Sequence, residues 1–193
     1  MRYEIEKTEA FDKWLKKLKD RKAVVAIAGR LDRAIIGNFG DVSPVGEGIC
    51  EMRFFVGPGY RLYYTIRQNT IILMLCGGDK STQEKDNKKA KKMAKAIYEE
   101  TVKVKTSPYN PLDYLETKEE INEYLNNAFM DDDPQVFLVA LGFLAKKKGM
   151  MEVAKETGLN RESLYKSLSG DGNPKFSTIS KVTKALGCKL AVT

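Results

Sequence analysis

The chain has 193 residues, 42% of them hydrophobic and 31% charged, and a formal charge of +7 with a pI near 9.2. That length holds one large domain or two small ones, and two are expected; the basic balance fits a polyanionic partner, nucleic acid first. Histidine is absent, which excludes the commonest general acid or base and the commonest metal ligand near neutral pH and leaves any catalysis to Arg, Lys, Tyr or carboxylates. Cys50, Cys76 and Cys188 lack CxxC spacing and read as buried small hydrophobes, so no metal and no cofactor is expected. No apolar run reaches the ~20 residues that cross a bilayer. Met1 leads into the polar RYEIEKTE and not into a signal peptide, so a soluble cytoplasmic protein without membrane contact is expected.

In chain order, Arg2 to Lys7 alternates as a strand. Thr8 then caps an amphipathic helix with Phe11, Trp14, Leu15 and Leu18 on one face. A second helix over Ala23 to Ile36 shows Val24, Ile27, Leu31 and Ile35 and stops at Gly37-Asn38-Phe39-Gly40. Both should pack on a sheet. Ile49 to Lys80 supplies it as a three-stranded antiparallel meander, turning at Val56-Gly57-Pro58-Gly59 and at Gln68-Asn69. Cys50, Met52, Phe54, Leu62, Tyr64 and Ile66 would form its buried face, while the other face carries the guanidinium groups of Arg53 and Arg61. Two readings of that face stay open: a working surface, or solvated arginines paired with Glu51 or Asp79. Ser81 to Tyr98 reads as a lysine-dense helix docked by the narrow stripe Ala90, Met93, Ala94 and Ile97. Its lysines are either a plain soluble face or one that touches RNA.

Thr101 to Pro111 has two prolines and an extended, β-branched start, the pattern of a linker, with the boundary near Lys105. The expected division is therefore 1–100, a junction over 101–111, and 112–193. Asp113 to Asp133 carries a net charge of −7. Thr117 and Glu120 form a capping-box pattern opening a helix whose stripe is Ile121, Tyr124, Leu125 and either Ala128 or Phe129. It is either an ordinary acidic helix or an arm lying over the basic domain. Residues 134–193 carry +6 and read as all-helical. Val136 to Lys147 is one helix, and Met151 to Leu168 is two short ones around Gly158. Ala154 is small at their crossing, and Val153, Leu159, Leu164 and Leu168 form a shared core: a helix-turn-helix. Its second helix presents Asn160, Arg161, Ser163, Tyr165 and Lys166, types that suit phosphate and base-edge contacts with DNA, and such modules commonly dimerise. Phe176 reads as a core anchor and Ser177 as the N-cap of a last helix over Thr178 to Leu186, ended by Gly187.

Residues 1 to about 100 resemble a RelE/ParE-superfamily toxin of the HigB-like addiction module killer group through CEMRFF, GPGYRLYYTI and LCGGDKSTQEKD. Residues from about 106 to 193 resemble the HigA-like addiction module antidote, with an XRE/Cro-type helix-turn-helix, through YNPLDYLETKEEINEYL, DDDPQVFLVALGFLAKKKGM, ETGLNRESLYKSLS and DGNPKFSTISKVTKALG. Toxin and antidote, usually separate chains, stand here in one. The resemblance implies an α+β fold: a RelE-like domain of two helices on an antiparallel or mixed sheet plus a C-terminal helix, then an all-α domain. It implies a metal-independent, ribosome-dependent mRNA endonuclease, neutralised by an antidote that binds operator DNA and represses its own promoter. Arg61 falls in the GYR slot where relatives place a phosphate-holding arginine, Arg53 lies near the preceding strand's basic position, and Lys80 stands where relatives often have arginine. Gln83, Lys85 and Asp86 occupy the neighbourhood where many relatives carry a tyrosine or histidine. The general base is thus left open, with Tyr60 and Tyr64 as candidate phenols. Two other functions stay in play. One is a DNA-binding transcriptional regulator with an inactive RelE-like domain, which the missing base residue favours. The other is ParE-type action on DNA gyrase, which the LCGGDKS segment disfavours.

Overall fold

Thr8 and Asp20 set the start of the fold by ending one element and capping the next. Thr8 closes strand β1 (Glu4–Thr8) and accepts the Phe11 amide at 3.3 Å, which opens helix α1 (Glu9–Lys16). Asp20 accepts the Ala23 amide at 3.1 Å and opens α2 (Arg21–Ile35). Strands β2 (Val42–Gly46), β3 (Ile49–Phe54), β4 (Tyr60–Arg67) and β5 (Ile71–Asp79) follow, then a 3-10 turn (Lys80–Thr82), α3 (Gln83–Tyr98) and β6 (Thr106–Pro108). The computed structural model describes residues 3–68, 71–99 and 104–188, with the backbone alone for 71–76 and 80. Among the described residues the protein is mixed α+β, with eight α-helices and a six-stranded sheet ordered β2-β3-β4-β5-β1-β6. The chain separates into two units, residues 1–110 and 111–193.

The sheet is antiparallel from β2 to β5, β1 runs parallel to β5, and β6 is antiparallel to β1. In the β3–β4 register Ile49 lies opposite Thr65, Glu51 opposite Tyr63 and Arg53 opposite Arg61, so these six share one face. Cys50, Met52, Phe54, Tyr60, Leu62 and Tyr64 share the other. That second face is covered from the α1–α2 side: the Trp14 ring lies edge-on to Tyr60 at 6.3 Å, and Arg30 sits over the Phe54 ring at 5.7 Å.

The arginine-bearing face was expected to be open, and most of it is not. Ala90 and Ala94 let α3 lie close, so Ile49, Tyr63, Ala90, Ala94 and Ile97 make one buried cluster, and the Thr65 and Tyr98 hydroxyls meet at 2.6 Å. Its Arg53–Arg61 end borders an open cavity. Ile66, expected in the core, is exposed near the end of β4.

Two elements went unseen in the sequence. β2 contains Ser43, Pro44 and Gly46, poor strand formers that an edge position tolerates. β6 lies where a linker was expected; its threonine and proline suit an edge strand equally well.

Gly77 and Gly78 explain the LCGGDK segment. A Cβ on Gly77 would come within 2.5 Å of the Trp14 ring, and one on Gly78 would meet the Asp86 carboxylate and, at 2.7 Å, the Thr82 hydroxyl. Successive strand positions point to opposite faces, so one glycine admits α1 and the next admits the first turn of α3.

In the second unit α5 (Pro134–Lys148) is the central helix, burying Val136, Phe137, Leu138, Val139, Ala140, Leu141 and Ala145. Helix α4 (Lys118–Phe129) begins at the expected Thr117 cap: Thr117 accepts the Glu120 amide at 3.1 Å, while the Glu120 carboxylate reaches one residue past the N-cap to accept the Glu116 amide at 2.7 Å. Tyr124, Leu125 and Ala128 are buried, whereas Phe129 is half exposed and lies edge-on to Phe137. Helices α6 (Met150–Thr157), α7 (Arg161–Ser167) and α8 (Phe176–Ala185) complete the unit.

Phe176 is not a core anchor: it is 77% exposed. It is the first residue of α8, so Ser177 lies inside the helix and does not cap it. The buried anchor is Val182, and six positions turn Phe176 about 240° from it. Cys50 and Cys188 are free and half-buried. Among the described residues no helix is long and apolar enough to cross a membrane.

The two glycines give a direct test. Gly77→Ala, which meets the rigid Trp14 ring, should lower unfolding free energy by about 1–3 kcal/mol, the usual cost of overpacking, read from the denaturant midpoint of the full chain, and Gly78→Ala, which meets only the ends of the Asp86 and Thr82 side chains, should cost less. A Gly77→Ala variant as stable as the parent would contradict the close approach.

Candidate functional site

Two arginines directly opposite on neighbouring antiparallel strands repel one another, so Arg53 and Arg61 need counter-charges, and each has one. The Arg53 guanidinium donates to Asp41 Oδ1 from Nη2 at 2.7 Å and from Nε at 3.2 Å. That bond and the Asp41 charge push the Arg53 pKa up. Arg61 Nε lies 3.5 Å from Glu51 Oε2 without a directed hydrogen bond, and both side chains are nearly buried, 14% and 8% exposed. Gln83, the first residue of α3, donates Nε2–H to the same Glu51 oxygen at 3.2 Å. Glu51 is thus shared between Arg61 and Gln83.

Gly78 stands opposite Arg61 on β5, which clears room for the start of α3 above the arginine row. Asp79 caps the 3-10 turn that leads into α3, accepting the Ser81 amide at 2.8 Å and the Ser81 hydroxyl. The hydroxyl bond holds the Asp79 carboxyl below its ordinary range.

The β3–β4 turn forms a cavity of about 330 Å³ lined by Arg53, Arg61, Phe55, Tyr60 and the Gly57-Pro58-Gly59 bend. Phe55 is 86% exposed at its rim. The bend is tied down from the other face, where the Tyr60 hydroxyl donates to Asp20 Oδ2 at 3.3 Å. Two arginines and an exposed ring around one cavity can hold a phosphodiester and stack a neighbouring base, with buried Glu51 beside Arg61 but outside the cavity lining.

Of the residues expected from the sequence, Arg53, Arg61 and Gln83 come together. The backbone of Lys80 begins the 3-10 turn, and its side chain lies outside the described residues. Lys85 is exposed on α3, about 200° around the helix from Gln83, which turns it away from Glu51. Neither candidate phenol shares the arginine face. Burial and the neighbouring Asp20 raise the Tyr60 pKa. Tyr64 stacks on Phe39 at 5.8 Å and its phenol is pushed far up by burial, so both hold their protons. The residue the sequence reading passed over is Glu51, taken only as an ion-pair partner. The signal was present in Glu51-x-Arg53, which places both on one strand face, once the strand register is known.

In the second unit α6 and α7 are joined at Gly158, whose left-handed φ of 68° makes the turn. Leu164 is buried, while Arg161, Ser163, Tyr165 and Lys166 are exposed. Arg161 lies over the Tyr165 ring at 5.5 Å. Asn160 is the N-cap of α7, its side-chain oxygen accepting the Glu162 amide at 2.8 Å, so that oxygen is engaged in the fold.

Residues 13–99 match the family described as "Phage derived protein Gp49-like (DUF891)", and residues 105–193 match "Probable addiction module antidote protein". An uncharacterized protein of Haemophilus influenzae is 45% identical over 97 residues, which is 50% of this chain and 98% of that protein. A second from the same organism is 42% identical over 84 residues, 44% of this chain and 87% of its own. The chain belongs to the toxin–antitoxin (addiction-module) family. It is a fusion, with the Gp49-like toxin part first and the antidote part second. No solved structure matches the fusion.

The Glu51–Arg61 pair is a testable feature of the toxin part. A double-mutant cycle of Glu51→Gln and Arg61→Met should return a coupling of at least about 1 kcal/mol, because either single change leaves a nearly buried charge without its partner. Additive effects would mean the two do not interact.

Proposed function

We propose that the toxin part is a HigB-like, metal-independent endonuclease of ribosome-bound mRNA, and that the antidote part neutralises it and represses the module's own promoter in the cytoplasm. The observation that carries the reading is the Arg53–Arg61 row at the mouth of the turn cavity, with Glu51 held between Arg61 and Gln83. Arg53 and Arg61 would bind the scissile phosphate and its developing charge. Glu51 would accept the proton of the 2′-hydroxyl as its oxygen attacks that phosphorus. The new 2′-O–P bond replaces the P–O5′ bond, leaving a 2′,3′-cyclic phosphate, while O5′ takes a proton from water and leaves as a 5′-hydroxyl and Glu51 returns its proton to the solvent. Exposed Phe55 offers a stacking surface for an unpaired base, a recurrent way of holding single-stranded RNA.

This reading is tested by expressing residues 1–110, the whole first unit, under tight control. Translation and growth should stop and mRNA should be cut, and Glu51→Gln should slow cutting by about 10²–10⁴-fold. A well-expressed, harmless unit would overturn it and leave the second reading: a DNA-binding regulator whose toxin part serves only assembly. One observation favours that alternative, since both arginines already carry carboxylates.

For the antidote part, α6 and α7 fit a helix-turn-helix of the XRE/Cro type that presents Arg161, Tyr165 and Lys166 to operator DNA, as a homodimer on a palindrome. The exposed Arg161–Tyr165 stack supports this. Operator affinity should fall as salt rises, and Lys166→Ala should weaken binding while lowering the salt slope by about one. Binding that ignores both Arg161→Ala and Lys166→Ala would move the DNA-reading surface elsewhere.

A further inference from the structure

The antidote match begins at residue 105 and the Gp49-like match ends at 99, yet residues 104–110 are built into the first unit. In β6, Thr106 pairs with Thr8, Ser107 with Lys7 and Pro108 with Glu6. The Tyr109 amide continues the ladder, donating to the Ile5 carbonyl at 2.8 Å. The Thr106 hydroxyl donates to Glu6 Oε2 at 2.6 Å. Tyr109 is buried, its ring edge-on to Phe11 at 6.5 Å, and Val104 packs against the cluster of Ile49, Tyr63, Ala90, Ala94 and Ile97. Val104 thus joins the α3 side of the sheet and Tyr109 the α1 side, as an odd spacing along an extended chain requires. Without this segment β1 would be the sheet edge, with its outer N–H and C=O groups unpaired.

We propose that the β1 edge is the docking site for the leading segment of the antidote, Val104 to Tyr109, and that this added strand holds the antidote chain to the toxin without help from the covalent junction. It rests on the toxin–antidote reading only in naming which part the segment belongs to. Strand addition of this kind takes affinity from main-chain bonds and selectivity from side chains that alternate between faces. Here the selective groups are Val104, Thr106 and Tyr109. Pro108 gives β6 no backbone N–H, which discourages a further strand from adding outside it. In the fused chain the segment also has a high effective concentration at its groove, so a separate copy of it competes poorly.

The test uses the full chain with residues 100–103 replaced by a protease site and then cut. The two fragments should remain a 1:1 complex at low micromolar concentration, by native mass spectrometry and gel filtration. Thr106→Val with Tyr109→Ala should weaken the complex at least ten-fold, and a synthetic peptide of residues 104–112 in excess should displace the antidote fragment. Fragments that separate at micromolar concentration would overturn the proposal, as would equal affinity in the double variant. Should that variant unfold, hydrogen exchange on the cut parent decides: protection of the Tyr109 amide supports the docked strand, and exchange at a free-peptide rate refutes it. Association is read without activity, so a toxin part that fails to cut RNA leaves this result standing.

Discussion

Two consecutive glycines at the end of β5 set how closely the layers of the toxin part can approach. Gly77 admits the Trp14 ring on one face, and Gly78 admits the first turn of α3 on the other. Because Gly78 lies opposite Arg61, that close approach brings Gln83 within hydrogen-bond reach of Glu51. A side chain at position 78 would meet the Asp86 carboxylate and the Thr82 hydroxyl, crowding the turn from which Gln83 reaches Glu51. Packing therefore fixes the electrostatics of the site.

The site itself is a balanced network and not a bare basic patch. Arg53 and Arg61 face each other across β3 and β4, and Asp41 and Glu51 relieve their repulsion. An incoming phosphate would compete with the two carboxylates for the guanidinium groups. In the proposed reaction that competition has a use: a phosphate drawing on Arg61 loosens the hold on Glu51 as a proton acceptor becomes necessary. The same balance accounts for the regulator alternative, since a network already neutral in itself is stable without any ligand.

Much of this was legible in the sequence. The caps at Thr8 and Thr117, the meander from Ile49, the stripe on α3 and the small helices around Gly158 follow from local chemistry, which acts over a few residues. What was not legible depends on partners distant in the chain. Alternation had already put Tyr64 on the face away from the arginines, but it took the strand register to set Glu51 beside Arg61 and to rule both Tyr60 and Tyr64 out of that site. Residues 104–110 read as a linker because an edge strand shares its composition, and only β1, about a hundred positions earlier, makes it a strand. Phe176 was misplaced for a simpler reason: apolar character says nothing about which side of a helix start it occupies.

The fusion places both parts at high mutual effective concentration, so any activity of the toxin part is best read on the first unit with its sixth strand intact. The central claim is that the Arg53–Arg61–Glu51 site cuts RNA through its own 2′-hydroxyl. The direct measurement supplies residues 1–110 with programmed ribosomes whose message carries a single 2′-deoxynucleotide at the cleavage position. The account predicts 2′,3′-cyclic phosphate ends on the unmodified message and no cutting at the deoxy position. Cleavage that continues at the 2′-deoxy position would contradict it.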